Sequence, residues 1–173
     1  LMMKVTETLP ENAVVVNEAL TSTRDLNALR PYRDRYDFHA FASGGIGWAV
    51  PAAVGIQLAD MSRPVCAIIG DGSAMYSIQA LWTAAHMKLP MTYIITNNSS
   101  YRILKQRLLS FHGNDNFIGM DLNDPPIDFT AIARGMGMTA TRITEAEKVV
   151  PALRAAFANS GPNLLDIAVD SHV

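Results

Sequence analysis

The residues best suited to chemistry fall in two short stretches. One is Gly70-Asp71-Gly72-Ser73-Ala74, which follows an apolar run and precedes an amphipathic one. A strand that turns through glycine into a helix presents backbone N–H groups and a helix N-terminus to an anion. A Walker-type loop would place a lysine here and a dinucleotide loop a third glycine; the sequence has neither. It has an aspartate instead. A carboxylate beside a phosphate is repulsive unless a divalent cation bridges them, so Asp71 points to a hard, oxygen-liganded metal such as magnesium. The second stretch, Asn97-Asn98-Ser99-Ser100, closes the next apolar run. Asparagine and main-chain carbonyls are both suitable magnesium ligands. Taken singly, Asn97-Asn98 reads as an ordinary turn and the glycine stretch as a strand-to-helix turn capped by Ser73. On neighbouring parallel strands the two would meet, because such strands gather their carboxyl ends where ligands bind.

For the two stretches to meet, strands and helices must alternate, and the sequence is patterned that way. Apolar runs at 13–16, 37–42, 65–69, 91–96, 138–143 and 164–169 are short and mostly rich in Val and Ile. That is the pattern of parallel strands covered on both faces. Ile78, Leu81, Trp82, Ala85 and Leu89 recur at one-face helical spacing, and 50–58 and 146–157 also read as helices. The expected fold is α/β, an open, doubly wound, mainly parallel sheet with helices on both faces. Residues 110–126 carry Gly113, Asn114, Asn116, Gly119, Asn123, Pro125 and Pro126 and read as a long loop. In a compact domain such a loop serves as a lid or binding loop, or else is a surface excursion. A length of 173 residues allows one domain with a sizeable core. Net charge is −2, from 14 basic and 16 acidic side chains, with no basic stripe, which excludes a nucleic-acid partner. No apolar run approaches the roughly 20 residues of a membrane helix. The single cysteine, Cys66, precludes a disulfide framework or a cysteine metal site within one chain, and a cytoplasmic setting is expected. The opening Leu1-Met2-Met3 reads as the edge of a piece of a longer chain.

With these stretches placed, the sequence resembles the C-terminal, diphosphate-binding domain of thiamine diphosphate-dependent 2-keto acid decarboxylases and carboligases, of the benzoylformate decarboxylase type. The likeness is carried by the run from Gly70 to Ala85 (GDGSAMYSIQALWTAA), by Asn97-Asn98, and by the run from Gly44 to Gly55 (GGIGWAVPAAVG), and it extends over 9–169. The resemblance implies that residues 1–173 are one such domain of a longer enzyme, with thiamine diphosphate and Mg2+ as cofactors. It implies that Asp71, Asn98 and the Ser100 carbonyl hold the metal. Gly72, Ser73 and Ala74 would contact the diphosphate, joined by Leu20 and Thr21 from a second loop, Asn17-Glu18-Ala19-Leu20-Thr21-Ser22. Gly44 would meet the pyrimidine amino group, and Ile46 would be the apolar wedge that bends the cofactor. Tyr101 would open a helix over 101–109 beside the thiazolium, with Ile103 and Leu104 in the substrate pocket. Arg102, Lys105 and Arg107 depart from the family pattern and imply either a more polar pocket or a solvated helix face. No catalytic side chain is carried over: none of the four histidines matches one. Glu7, Glu11, Glu18, Glu145 and Glu147 do not match the family's pyrimidine-activating glutamate. That residue would come from the N-terminal pyrimidine-binding domain of a neighbouring subunit, so a homo-oligomer, commonly a tetramer, is expected. The implied activity is that of a lyase decarboxylating a small 2-keto acid, the isolated domain being inactive. An acetolactate-synthase-like carboligase, a non-catalytic nucleotide-binding α/β module and a purely structural oligomerisation domain are the alternatives.

Overall fold

The computed structural model describes residues 1–173. Six strands, β1 (Val14–Glu18), β2 (Phe38–Ala40), β3 (Val65–Gly70), β4 (Met91–Asn97), β5 (Thr139–Ile143) and β6 (Asn163–Ala168), form one wholly parallel sheet in the order β2-β1-β3-β4-β6-β5. The helices are α1 (Met2–Thr8), α2 (Thr23–Leu29), α3 (Ala49–Ala59), the single turn α4 (Asp71–Ala74), α5 (Ala80–His86), α6 (Arg102–His112), α7 (Phe129–Gly135) and α8 (Val149–Ala158). Strand alternation sorts the core into two layers. Along β3, Val65, Ala67 and Ile69 join Ala53 of α3, Leu81 of α5 and Phe129 of α7. Cys66 and Ile68 face the other way, toward Val5 of α1, Leu26 of α2 and Leu153 of α8. Covering on both faces explains why β1, β3 and β4 are buried at every residue and read as continuous apolar runs.

All six expected strands are present, with shifted ends. β1 runs on through Asn17 and Glu18, beyond the expected stop at residue 16, because these polar side chains find buried hydrogen-bond partners. β2 is only three residues long, pairing with β1 alone at the sheet edge. The helix expected over 78–89 is shortened to α5: Tyr76 to Gln79 form turns, and Lys88 takes a left-handed φ of 53°. The loop expected over 110–126 gives up its first residues to α6, which ends at His112 with Gly113 in the left-handed C-cap position at φ 57°. Residues 146–148 are a 3-10 turn leading into α8. Three short helices, α1, α2 and α7, have no counterpart in the sequence reading.

From β1 the chain goes to β2 on one side, then crosses back past β1 to β3 on the other. That reversal leaves a crevice above the carboxyl ends of β1 and β3, the place where open α/β sheets bind ligands.

Candidate functional site

A small cleft occupies that crevice. Ala19, Leu20 and Thr21 line it from the end of β1, Gly70 to Ser73 from the end of β3, and Asn98 to Ile103, without Ser99, from the end of β4. Asp71 is the first residue of α4 and only 2% exposed. Its Oδ1 accepts from the Gly72 N–H at 2.9 Å, while its Oδ2 is buried without a partner. Burial pushes the Asp71 carboxyl up to about 6, against the pull of N–H groups from Gly72, Ser99, Ser100 and Asn98. The Ser73 hydroxyl is likewise buried and unpartnered. Two orphaned oxygens in one cleft call for a ligand, since an unmet buried polar atom costs on the order of 1–3 kcal/mol.

The Asn97–Ser100 turn is built by its own side chains. Asn97 Oδ1 accepts from the Ser99 N–H at 3.0 Å, and Asn98 Oδ1 accepts from the Ser100 N–H and hydroxyl, each at 3.0 Å. Ser99 pays with a left-handed φ of 55°. The Asn97 Nδ2 donates to the buried Asp166 at 2.9 Å, which fixes the turn to β6. Residues 120–122 then run alongside: Tyr101 N–H donates to the Met120 carbonyl and Leu122 N–H to the Ser99 carbonyl, both at 2.8 Å. Lys105 closes the arrangement with an ion pair to Asp121 at 2.5 Å. The base of the long loop is thus pinned to the turn.

Gly72 has a steric requirement. A Cβ there would lie 2.5 Å from Tyr101 Cε1. Thr21 lines the cleft next to Leu20, whose φ of 49° lies in the left-handed region, and the loop around them is tied down by Asn17. Asn17 Oδ1 accepts from Ala19 N–H at 3.0 Å, and its side chain also engages Thr23.

Not every expected site residue lines the cleft. Leu20, Thr21, Asp71, Gly72, Ser73, Asn98, Ser100, Tyr101 and Ile103 do. Ala74 does not line the cleft; its methyl is buried in the core. Gly44 is exposed and Ile46 half-buried on the segment after β2, outside the cleft. Leu104 is 50% exposed and does not line the cleft. The three basic residues of α6 separate: Arg102 lines the cleft, Lys105 is buried against Asp121, and Arg107 is exposed over the Phe111 ring. Glu18, to which the sequence assigns no site role, is fully buried and accepts from the Gly47 N–H at 2.5 Å and the Ala49 N–H at 2.8 Å. An acid that closes an otherwise apolar strand was the available signal.

The donors suit a hard cation that shares its shell with phosphate. They are one carboxylate, an amide oxygen and a main-chain carbonyl. No group of three His, Cys, Asp or Glu side chains forms a self-sufficient metal cage anywhere in the chain.

Residues 21–167 match the family described as thiamine pyrophosphate enzyme, C-terminal TPP binding domain, and the chain belongs to that family. A Mycobacterium tuberculosis protein bearing the acetolactate synthase large subunit name IlvX is 41% identical over 95% of this chain and 33% of its own length. The benzoylformate decarboxylase of Pseudomonas aeruginosa is 37% identical over 91% of this chain and 29% of its own. Among solved structures, the thiamine diphosphate-dependent 4-hydroxybenzoylformate decarboxylase of Rhodococcus jostii superposes with a TM-score of 0.92 at 34% identity, covering 99% of this chain and 32% of that one. The chain spans about a third of the length of these relatives.

Proposed function

We propose that this chain is the diphosphate- and magnesium-binding domain of a thiamine diphosphate-dependent 2-keto acid decarboxylase resembling benzoylformate decarboxylase. The observation that carries this is the pair of unpartnered buried oxygens, Asp71 Oδ2 and Ser73 Oγ, in the crevice at the reversal of strand order. Asp71, Asn98 and the Ser100 carbonyl would hold Mg2+, and the cation would offset the repulsion between Asp71 and the diphosphate. Ser73, the N–H groups of Gly72 and Ala74, and the Leu20–Thr21 segment would bind the diphosphate oxygens. When bound, thiamine diphosphate supplies the electron sink on which a 2-keto acid loses carbon dioxide. The residues of this chain anchor and orient. Gly44 and Ile46 would face the ring end, and Ile103 would border the substrate.

The pyrimidine-contacting glutamate would come from an N-terminal domain of a neighbouring subunit, which makes the working enzyme a homo-oligomer. The 41% identity to the IlvX protein favours a second reading, an acetolactate-synthase-like carboligase. Product analysis separates the two: free aldehyde for decarboxylation, an acyloin-type adduct for carboligation. Family membership sets aside an unrelated nucleotide-binding module.

Calorimetry with Mg2+ and thiamine diphosphate tests the site. In the full-length protein, Asp71→Ala and Asn98→Ala should each lower affinity by about 100-fold or more, since removing even supporting groups around a metal costs 10–100-fold. Unchanged affinity in both variants overturns the assignment.

A further inference from the structure

Four carboxylates are buried in this molecule: Glu18, Asp37, Asp71 and Asp166. Asp37 faces Arg30, Asp166 faces Arg142, and Asp71 lines the cleft. Glu18 pairs with no cation, although it is 0% exposed. Both its oxygens are spent on backbone N–H groups of one segment, those of Gly47 and Ala49. Taking a carboxyl out of water is costly, and here only backbone N–H groups of one segment offset that cost.

Gly47 is fastened from the other side as well. Its carbonyl accepts a hydrogen bond from the Ser77 hydroxyl. Its φ is +94°, and a Cβ there would lie 2.4 Å from Tyr76 Cβ. Gly47 is therefore held between the end of β1, whose following residues Ala19 to Thr21 line the cleft, and the turn that follows α4. Gly44 to Ile46, just upstream, carry no bond of their own to the sheet beyond this bolt, and Gly44 and Gly45 are exposed. The neighbouring residue, Asn17, does the corresponding task for the other segment, tying Ala19 and Thr23. Adjacent residues at the end of one strand thus lock different parts of the site.

We propose that Glu18 is a positioning residue for the ring end of thiamine diphosphate, acting through the Gly47 backbone, whereas Asn17 positions the diphosphate end. This rests on the reading of the cleft as the diphosphate site and of Gly44 to Ile46 as the ring-facing segment. Glu18 touches neither cofactor nor substrate in this role. It sets the height of the Gly44–Ile46 segment above the cleft, and preorganisation of that kind is felt only by ligands long enough to reach it.

The test compares two ligands by calorimetry, both with Mg2+: thiamine diphosphate, which spans both ends, and inorganic pyrophosphate, which occupies only one. In the full-length protein, Glu18→Gln replaces an acceptor by a donor opposite one of the two N–H groups. It should weaken thiamine diphosphate by about tenfold or more, the scale of a lost charge-assisted bond, while changing pyrophosphate less than about twofold. Asn17→Ala should weaken both ligands alike. Should Glu18→Gln fail to fold, as judged by circular dichroism, Ser77→Ala releases the Gly47 carbonyl more gently and should give the same selective loss at smaller size. Equal loss for both ligands, or no loss for either, in whichever of the two variants folds overturns the positioning role and leaves Glu18 a helix cap. Failure of the wild-type protein to bind Mg2+ and thiamine diphosphate overturns the cofactor reading itself, and the inference with it.

Discussion

Among single residues, Gly72 and Tyr101 show how closely this site is packed. Gly72 has an ordinary φ, so its requirement is steric: the Tyr101 ring occupies the space of a side chain, at 2.5 Å from the position of a Cβ. Gly72→Ala should drive the Tyr101 ring aside and lower affinity for Mg2+ and thiamine diphosphate, with a stability cost of no more than about 1–3 kcal/mol, the usual scale of local overpacking. Adding Tyr101→Ala should recover most of the lost stability. A double-mutant cycle by thermal melting and calorimetry checks this; strict additivity of the two changes would mean that they do not meet. That Asp71 and Asn98 meet in one cleft was legible in the sequence, because neighbouring parallel strands gather their carboxyl ends. For Glu18 it left only the faint signal of an acid closing a strand, because an acid that works through backbone N–H groups leaves no partner motif. Nor did it separate Arg102, Lys105 and Arg107: which side of a short helix faces a cleft is decided by tertiary packing.

Among elements, the ends of β4 and β6 are joined by polar contacts within the sheet. Asp166 accepts from Asn97 Nδ2 and pairs with Arg142 of β5 at 2.5 Å, while its own side chain is 0% exposed. Burial nonetheless holds its carboxyl above the ordinary carboxylate range, with Asp128 adding to the rise and Asn97 and Arg142 opposing it. A carboxyl raised on folding binds its proton more tightly in the folded state, so its contribution favours folding below the unfolded value and is lost as pH rises through the folded value. The melting temperature of the wild type relative to Asp166→Asn should therefore rise as pH is lowered from neutral toward the ordinary carboxylate range. A difference that stays flat or shrinks on acidification would contradict the direction. The loop base offers a second prediction. Lys105→Met removes the pair to Asp121 and should speed amide exchange at Tyr101 and Leu122, whose bonds tie residues 120–122 to the asparagine turn. Unchanged exchange at both amides would show that the backbone bonds alone hold the loop. Strand positions were legible because burial on both faces demands unbroken apolar runs. α1, α2 and α7, at seven residues each, were not, since two turns of helix present too few repeats for a period to emerge.

For the molecule as a whole, no helix is long and apolar enough to cross a membrane. Its two-layered core leaves one probe of its integrity in place. Cys66 is the second residue of β3 and is buried with Ile68, Ile94 and Leu26, at 1% exposure. Burial pushes its thiol up to about 12, so the reactive thiolate is suppressed twice over, by proton affinity and by access. A thiol reagent at neutral pH should therefore find no reactive group in the folded chain and one in denaturant. Because β3 pairs with β1 and β4 at the centre of the sheet, it should open only with the whole fold. The modification rate, measured across a denaturant series, should then follow the same free energy as global unfolding by circular dichroism. Saturating Mg2+ and thiamine diphosphate should slow the modification by the factor by which the ligand is in excess over its dissociation constant, since a ligand that binds only the folded state stabilises it by mass action. Rapid labelling under native conditions, or labelling indifferent to bound cofactor, would show that β3 opens locally beneath the site and that the cleft above it is not supported by the full core.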